Sequence, residues 1–500
     1  MPESQELYER YVQKMQRIAD VRNANNVLQW DQETYLPVKG NALRGQQIST
    51  LSEIAHQLFS EESTGKLLQE LLTKNDLTLE EKRNVALSWE DYEKSKKYSS
   101  QFVRKLSAQV NKTYYAWIEA REKNSFSVYE KDLKALIELK KEETHLLGFQ
   151  QHPYDALLNE HEKGSSVSLI DKTFKEVLPT LKNLLNRIES KPQVDDSFLK
   201  QHFPKQQQWM WGLHLLQDLH FNMESGRQDL STHPFSVSFN CHDVRITTRI
   251  DENDFGNMTW SCIHEVGHAL YEQGLPENQY GLPLGEACSY SIHESQSRLW
   301  ENNVGRSKSY WKNKLPQLKT FFPDQFKDVD LEHFYKGINK VTPSLIRTEA
   351  DEITYHFHVF IRYELEKMLI DGSIGTADIP HFWNEQYQKW MHLTVPDDKN
   401  GCLQDVHWSH GSFGYFPTYS LGSFYAAQFF NAAKLDLPSV ASGIASGNNL
   451  PLLEWLRTNI HGKGRFYNSE DLCKAATGEP LHISIFTAYL LEKYKAIYNL

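Results

Sequence analysis

The residues whose types and spacing can do chemistry lie in one short run, His264-Glu265-Val266-Gly267-His268, inside the apolar, helix-periodic stretch TWSCIHEVGHALYEQG. On a helix, positions four apart share a face. His264 and His268 can therefore offer two imidazole nitrogens to one metal ion. Glu265 sits beside them, toward the water that such a metal activates, as in the H-E-x-x-H arrangement of zinc peptidases. Two histidines merely packed on a helix would give the same letters, so the case rests on what else the chain supplies.

A hydrolytic zinc site takes three protein ligands and keeps one position open. Downstream, EACSYSIHESQSRLWEN has an amphipathic helical pattern that offers Glu286, His293 and Glu294. Glu294 is the expected third ligand, because a carboxylate on a second, facing helix completes a His2Glu set. Arg298, one turn on, can steady it. The competing reading has Glu294 pairing with Arg298 on a solvated face. Glu272, one turn after His268, is either an acceptor for a ligand imidazole N–H or an ordinary exposed carboxylate.

The elements that must position these groups are mostly helical. From Glu3 to about Phe149, apolar residues recur at three- and four-residue spacing, and Thr78 with Glu81 and Ser127 with Glu130 have the form of capping boxes that mark two helix starts. QWDQETYLP, Gln29 to Pro37, interrupts this pattern with a Pro-ended turn, and no chemistry is assigned to the first third. Further helices follow to Glu224, broken near Pro153, Gly164, Pro192 and Pro204. Between His233 and Ile250 the texture changes to the period-2 alternation of a strand pair, placed directly before the HEVGH helix. A peptide substrate can be held there as an added strand. Arg245 in this ribbon is a candidate substrate contact, and Arg249 is read as an edge-strand charge.

Two later segments carry further candidates. In VTPSLIRTEADEITYHFHVF, Arg347 and Asp351 are spaced as an i,i+4 pair on a helix, yet an Arg fork is also the usual partner of a carboxylate, which a peptidase acting at the C-terminus needs. Asp397 to Gly422 is a Gly-rich loop crowded with His407, Trp408, His410, Tyr415 and Tyr419, donors suited to a tetrahedral oxyanion or to substrate.

Composition bounds these readings. Five hundred residues, 40% apolar and 24% charged, are ample for a large folded core. The net charge of −11 disfavours nucleic acid as a partner. The N-terminal segment has no apolar signal region and no stretch is long and apolar enough to span a membrane, so a cytoplasmic protein is expected. The five cysteines, without C-x-x-C pairs, are expected to be small buried hydrophobes rather than a disulfide framework.

Taken together, HPF at His233–Phe235, DVRIT at Asp243–Thr247, HEVGH, HESQ at His293–Gln296, IRTEAD at Ile346–Asp351 and GCLQDVHW at Gly401–Trp408 make the chain resemble the carboxypeptidase Taq family of metallocarboxypeptidases. The resemblance spans most of the chain. It implies a mainly α, large single-domain peptidase over residues 1–500, with 1–225 as helical scaffold and groove wall and 226–500 as the catalytic portion. A deep groove closed at one end and a small β-ribbon beside the HExxH helix complete that fold. One divalent metal, Zn2+ with Co2+ able to substitute, would be held by His264, His268 and Glu294, with Glu265 as base. Such enzymes are typically homodimers and release single C-terminal residues with broad preference, acting poorly on C-terminal proline. Arg347 would bind the substrate carboxylate, while His233, His407 and Tyr419 would meet substrate or transition state. An endo-oligopeptidase or dipeptidyl carboxypeptidase using the same His2Glu site is the alternative. A non-enzymatic peptide-binding protein is disfavoured by Glu265, since a binder has no use for a general base.

Overall fold

A computed structural model describes residues 3–500, the side chain at position 42 excepted. Among the described residues the fold is mainly α, with twenty α-helices and one three-stranded sheet. No described helix is long and apolar enough to cross a membrane. All five cysteines are free; Cys262, Cys402 and Cys473 are buried, Cys241 and Cys288 half-buried. The chain forms two compact units, each assembled from separated stretches of sequence. One comprises the chain through Lys96, Asp195–Ile338 and Gln428–Pro480; the other comprises Lys97–Val194, Asn339–Ala427 and Leu481–Leu500.

In the first unit, the helix Glu3–Thr34 presents Leu7, Tyr8, Tyr11, Met15 and Ile18 on one face and buries them with Leu68, Leu71, Val85 and Tyr92 of the helices that follow. Thr78 caps the helix Leu79–Ser95 as expected: its hydroxyl accepts from the Glu81 amide at 3.2 Å, and Glu81 accepts from the Thr78 amide at 2.8 Å. The first helix runs past the expected break at Gln29 and turns only after Thr34, because Trp30 is buried, with Arg245 at 4.4 Å and Arg227 at 5.3 Å from its ring.

The strand pair is a three-stranded sheet. Gly226–Leu230 (β1) and Ser236–Asn240 (β2) flank Asp243–Thr248 (β3), β1 parallel and β2 antiparallel to it. β1 escapes a reading of apolar alternation because its buried residues are polar. Gln228 accepts from Cys262 Sγ at 3.2 Å, and Asp229 pairs with Arg227 at 2.7 Å and with the Tyr35 hydroxyl.

The helix Phe255–Glu272, which carries HEVGH, starts at Asp254, whose carboxylate accepts from the Gly256 amide at 2.9 Å. It buries Met258, Cys262, Ile263, Val266 and Leu270, and packs against β2, β3, the helix Lys205–Asp218 and the helix Tyr290–Arg298. A helix apolar on nearly every side belongs in a core. Its approach to Tyr290–Arg298 is closest at Gly267, where a Cβ would lie 2.5 Å from Ser297 Cα and 2.6 Å from the Gln296 carbonyl oxygen. Tyr290–Arg298 continues without a break into a π-helical turn, Leu299–Gly305, buried throughout.

In the second unit, the helix Phe126–Leu147 corrects the Ser127–Glu130 capping box. It begins two residues earlier than that box requires, with Phe126 buried, and Ser125 caps no amide but meets Ser127 Oγ at 2.9 Å. The helix Val167–Glu189 lays Ile170, Phe174, Val177, Leu181, Leu184 and Ile188 in one buried stripe beside the final helix, Ile483–Tyr498. Tyr355–Asp371 is buried almost all round, and even His358, Arg362 and Glu366, at four-residue intervals, are inside. His358 Nδ1 meets Tyr387 Oη at 2.9 Å. Glu366 accepts from Trp408 Nε1 and the Gly414 amide, both at 2.7 Å, and from Tyr154 Oη at 2.5 Å. These bonds pin the Gly-rich segment.

Gly267→Ala should overpack the crossing of the two site helices, because the obstructing atoms are backbone, and cost about 1–3 kcal/mol. Urea unfolding of wild type and variant checks this. An unchanged midpoint would mean that the helices can move apart freely.

Candidate metal centre and cation cluster

The HEVGH helix aims two imidazoles at one carboxylate. His264 Nε2 lies 3.6 Å and His268 Nε2 3.4 Å from Glu294 Oε2, and the three ligand atoms are mutually within 4.8 Å. Donors held tetrahedrally at zinc-ligand distances would stand about 3.4 Å apart, so a His2Glu metal site fits these residues. Glu294 is buried and its other oxygen accepts from Arg298 Nε at 2.7 Å. The steadying pair is thus real, on a buried rather than a solvated face. Burial would raise the Glu294 carboxyl, but Arg298 and His264 hold it well below the usual range. Glu286 is elsewhere engaged, with Arg465 at 2.6 Å.

Further groups orient the imidazoles. His264 Nδ1 meets Glu301 Oε2 at 2.9 Å, and Glu301, in the π-helical turn, is held by Arg298 at 3.1 Å and Arg306 at 3.4 Å. Burial works against ionisation of Glu301, yet Arg298 and His264 hold it at about 2. On the other side Glu272 does not accept directly from a ligand imidazole. His293 is interposed, its Nδ1 2.5 Å from His268 Nδ1 and its Nε2 2.7 Å from Glu272 Oε1. Burial drives His268 down to about 4, against its hydrogen bond to Glu294, leaving the neutral imidazole that a metal requires.

Glu265 is buried beside this set. Burial pushes its carboxyl up to about 7; His264 opposes the rise, Glu294 adds to it, and a hydrogen bond from Ser236 of β2 favours the charged form. A bound cation would draw it back down.

The second unit gathers Arg347, His407, Tyr415 and Tyr419. Arg347 corrects the i,i+4 reading: it lies in the short 3-10 turn Arg347–Glu349, ahead of the helix, where helical spacing does not apply. Asp351 closes the approach to the helix instead, accepting from the Ile353 and Thr354 amides at 2.9 and 3.0 Å. Arg347 pairs with Asp405, Nε and Nη2 at 3.1 and 3.0 Å from Oδ1, and its Nη1 donates to Tyr355 Oη at 3.3 Å. Arg362 takes the other Asp405 oxygen at 2.6 Å. Burial would raise Asp405, but Arg362 and Arg347 hold it well below the usual carboxylate range. Two guanidinium groups against one carboxylate leave a surplus positive charge.

The Arg347 guanidinium also stacks 4.7 Å over the Tyr419 ring, and Tyr419 Oη meets His407 Nε2 at 3.0 Å. Tyr419 lies in the first turn of the helix Pro417–Asp436, not on the loop. Tyr415 packs on both, at 5.2 Å from Tyr419 and 5.7 Å from His407. Burial, then Arg347, drives His407 down to about 3, so it stays neutral. His233 and Arg245 belong to the first unit. His233 is exposed, and Arg245, on β3, is paired with Asp243 at 2.8 Å. Sequence reasoning missed Glu301, Arg362 and Asp405. Glu301 was signalled by its place seven residues after Glu294 with Arg298 between, and Asp405 by its place two residues before His407.

A helical chain with this donor set and a buried glutamate beside it has the build of an H-E-x-x-H metallopeptidase. A family model described as carboxypeptidase Taq (M32) metallopeptidase matches residues 10–494. Carboxypeptidase 1 of Bacillus subtilis is 37% identical over 97% of each chain, and thermostable carboxypeptidase 1 of Thermus thermophilus is 37% identical over 98% of this chain and 99% of its own. The crystal structure of the M32 carboxypeptidase from Deinococcus radiodurans superimposes with a TM-score of 0.97 at 35% identity, covering 99% of this chain and 100% of that one. The chain belongs to the carboxypeptidase Taq family. It is a metal-dependent carboxypeptidase, a hydrolase acting on peptides.

Asp405→Asn should leave two buried arginines facing a neutral amide, at a cost of about 3–5 kcal/mol. Since pairing depresses the Asp405 carboxyl, its contribution is complete above the unfolded value and fades as pH falls toward the folded one. Stability measured against pH should show the wild-type advantage in full at neutrality and shrinking below roughly pH 4. Equal stability at neutral pH would contradict the account.

Proposed function

We propose that this chain, acting as one catalytic domain over its whole length, removes single residues from the C-terminus of peptides at a zinc site made by His264, His268 and Glu294. The observation that carries the reading is the spacing of those three ligand atoms, all within 4.8 Å, beside the buried Glu265. Two imidazoles and one carboxylate gathered this closely suit Zn2+, for which Co2+ can stand in. When bound, such an ion polarises the scissile carbonyl and acidifies the attacking water.

Glu265 accepts the proton of the attacking water and returns it to the leaving amine. A buried carboxylate beside the metal-ligand set is placed for both transfers. Tyr419, held by His407, donates to the oxyanion, and the neutral His407 sets the direction of that hydroxyl. Arg347 receives the terminal carboxylate of the substrate. Three of its five N–H groups are committed to Asp405 and Tyr355, so the remaining ones and the surplus charge of the cluster provide the attraction. Tyr415, His233 and Arg245 contact the rest of the peptide.

Side-chain preference is broad, and C-terminal proline, whose scissile nitrogen carries no N–H, is disfavoured. A cytoplasmic setting agrees with five free cysteines. Assembly as a homodimer rests on the family resemblance.

Chelation should abolish hydrolysis, and Zn2+ or Co2+ should restore it. Glu265→Gln should keep its metal, measured by elemental analysis, while losing at least about 100-fold in kcat. A variant with normal turnover would make Glu265 structural.

Exo action is tested with four rates: a peptide acid and its C-terminal amide, each with wild type and with Arg347→Ala. Wild type should strongly prefer the acid, and the variant should lose most of that preference. Should wild type cleave both alike, or release internal fragments first, an endo-oligopeptidase or dipeptidyl carboxypeptidase replaces this reading, with Arg347 bracing Asp405 only.

A further inference from the structure

We propose that His293 is a positioning residue that presents His268 to the metal, and that Glu272 acts through it. This rests on the reading of His264, His268 and Glu294 as the metal site. His268 Nε2 faces Glu294 Oε2 at 3.4 Å, so its lone pair must lie on that nitrogen if it is to bind a cation. A neutral imidazole carries one N–H, which is then on Nδ1.

His268 Nδ1 stands 2.5 Å from His293 Nδ1, and two ring nitrogens that close share a single proton. With His268 supplying it, His293 Nδ1 is a bare acceptor. The His293 proton is therefore on Nε2, and that N–H donates to Glu272 Oε1 at 2.7 Å. The reverse order fails twice. It sets a bare Nε2 against a carboxylate, and it moves the His268 proton to the nitrogen that faces Glu294. A doubly protonated His293 fails in the same way, since it leaves His268 Nδ1 no proton to donate.

The chain of bonds leaves the HEVGH helix at His268, crosses to His293 on the neighbouring helix and returns one turn later at Glu272. The relay ring packs tilted against its neighbours, its centroid 4.6 Å from that of His268 and 5.3 Å from that of Tyr271. The two ligand imidazoles are thus supported unequally. His264 donates straight to the Glu301 carboxylate at 2.9 Å, whereas His268 donates to a neutral imidazole that a carboxylate polarises from behind.

The test is zinc affinity, by competition between a chromophoric chelator and full-length protein stripped of metal. His293→Leu fills the space without an acceptor and should weaken zinc binding by about 10–100-fold. His293→Asn puts Oδ1 where Nδ1 stands and should recover most of that loss, a rescue that simple packing would not produce. Glu272→Gln retains an acceptor oxygen and should stay near wild type. Glu272→Leu should weaken binding alone, but add little in the His293→Leu background. Melting of the metal-free proteins separates loss of affinity from loss of fold. Wild-type affinity in His293→Leu, an Asn variant as weak as the Leu variant, or additive losses in the double variant would each overturn the proposal. Glu294→Ala is the control for the underlying site: zinc bound as tightly as by wild type would sink the metal reading itself, whatever His293 does.

Discussion

Charge buried beside two touching helices is the constraint on which the metal centre depends. Glu294, Glu301 and Glu265 are all buried, and an ion taken out of water costs several kcal/mol unless it is paired and hydrogen-bonded. The local architecture answers that cost residue by residue. Arg298 reaches both Glu294 and Glu301, Arg306 completes the neutralisation of Glu301, and Ser236 of β2 contacts Glu265. What remains is a pocket of one carboxylate and two imidazoles, a donor set that fits a divalent cation. The geometry exists only because Gly267 lets the backbone of one helix come against Ser297 and Gln296 of the other.

The π-helical turn Leu299–Gly305 belongs to the same solution. A widened turn of this kind is rare overall and frequent at functional sites. Here it carries Glu301, the group that accepts from His264. Arg298, the last residue before the turn, bridges a carboxylate on each side of the junction.

The second unit meets a comparable demand differently. Its buried helix carries His358, Arg362 and Glu366 down one line, and each anchors a different part of the chain: Tyr387, Asp405, and the Trp408–Gly414 segment. A segment rich in glycine would otherwise lose its shape to conformational entropy. Fastened at Asp405, Trp408 and Gly414, it holds His407 and Tyr415 against Tyr419. Arg347 then contributes both a charge and a flat surface for the Tyr419 ring.

Local spacing was sufficient wherever an interaction is made within one element. The helical scaffold, the Thr78–Glu81 cap and the pairing of His264 with His268 on one helical face were all legible, because helix periodicity determines which side chains are neighbours. The choice of Glu294 needed only one added assumption, that two helices face each other. Where the partner comes from far along the chain, spacing misled or was silent. Spacing offered Asp351 as the structural partner of Arg347, which is bound to Asp405, and left Glu272 open between a ligand imidazole and solvent, whereas it meets His293. β1 was invisible because its buried residues, Gln228 and Asp229, are polar, and the contacts with Cys262 and Tyr35 that accompany their burial come from other elements. By itself, the sequence determined the fold class, through periods of two to four residues, and the family, through six short motifs spread along the chain. Only the tertiary structure decided which buried charge neutralises which, because that depends on distances between segments tens to hundreds of residues apart.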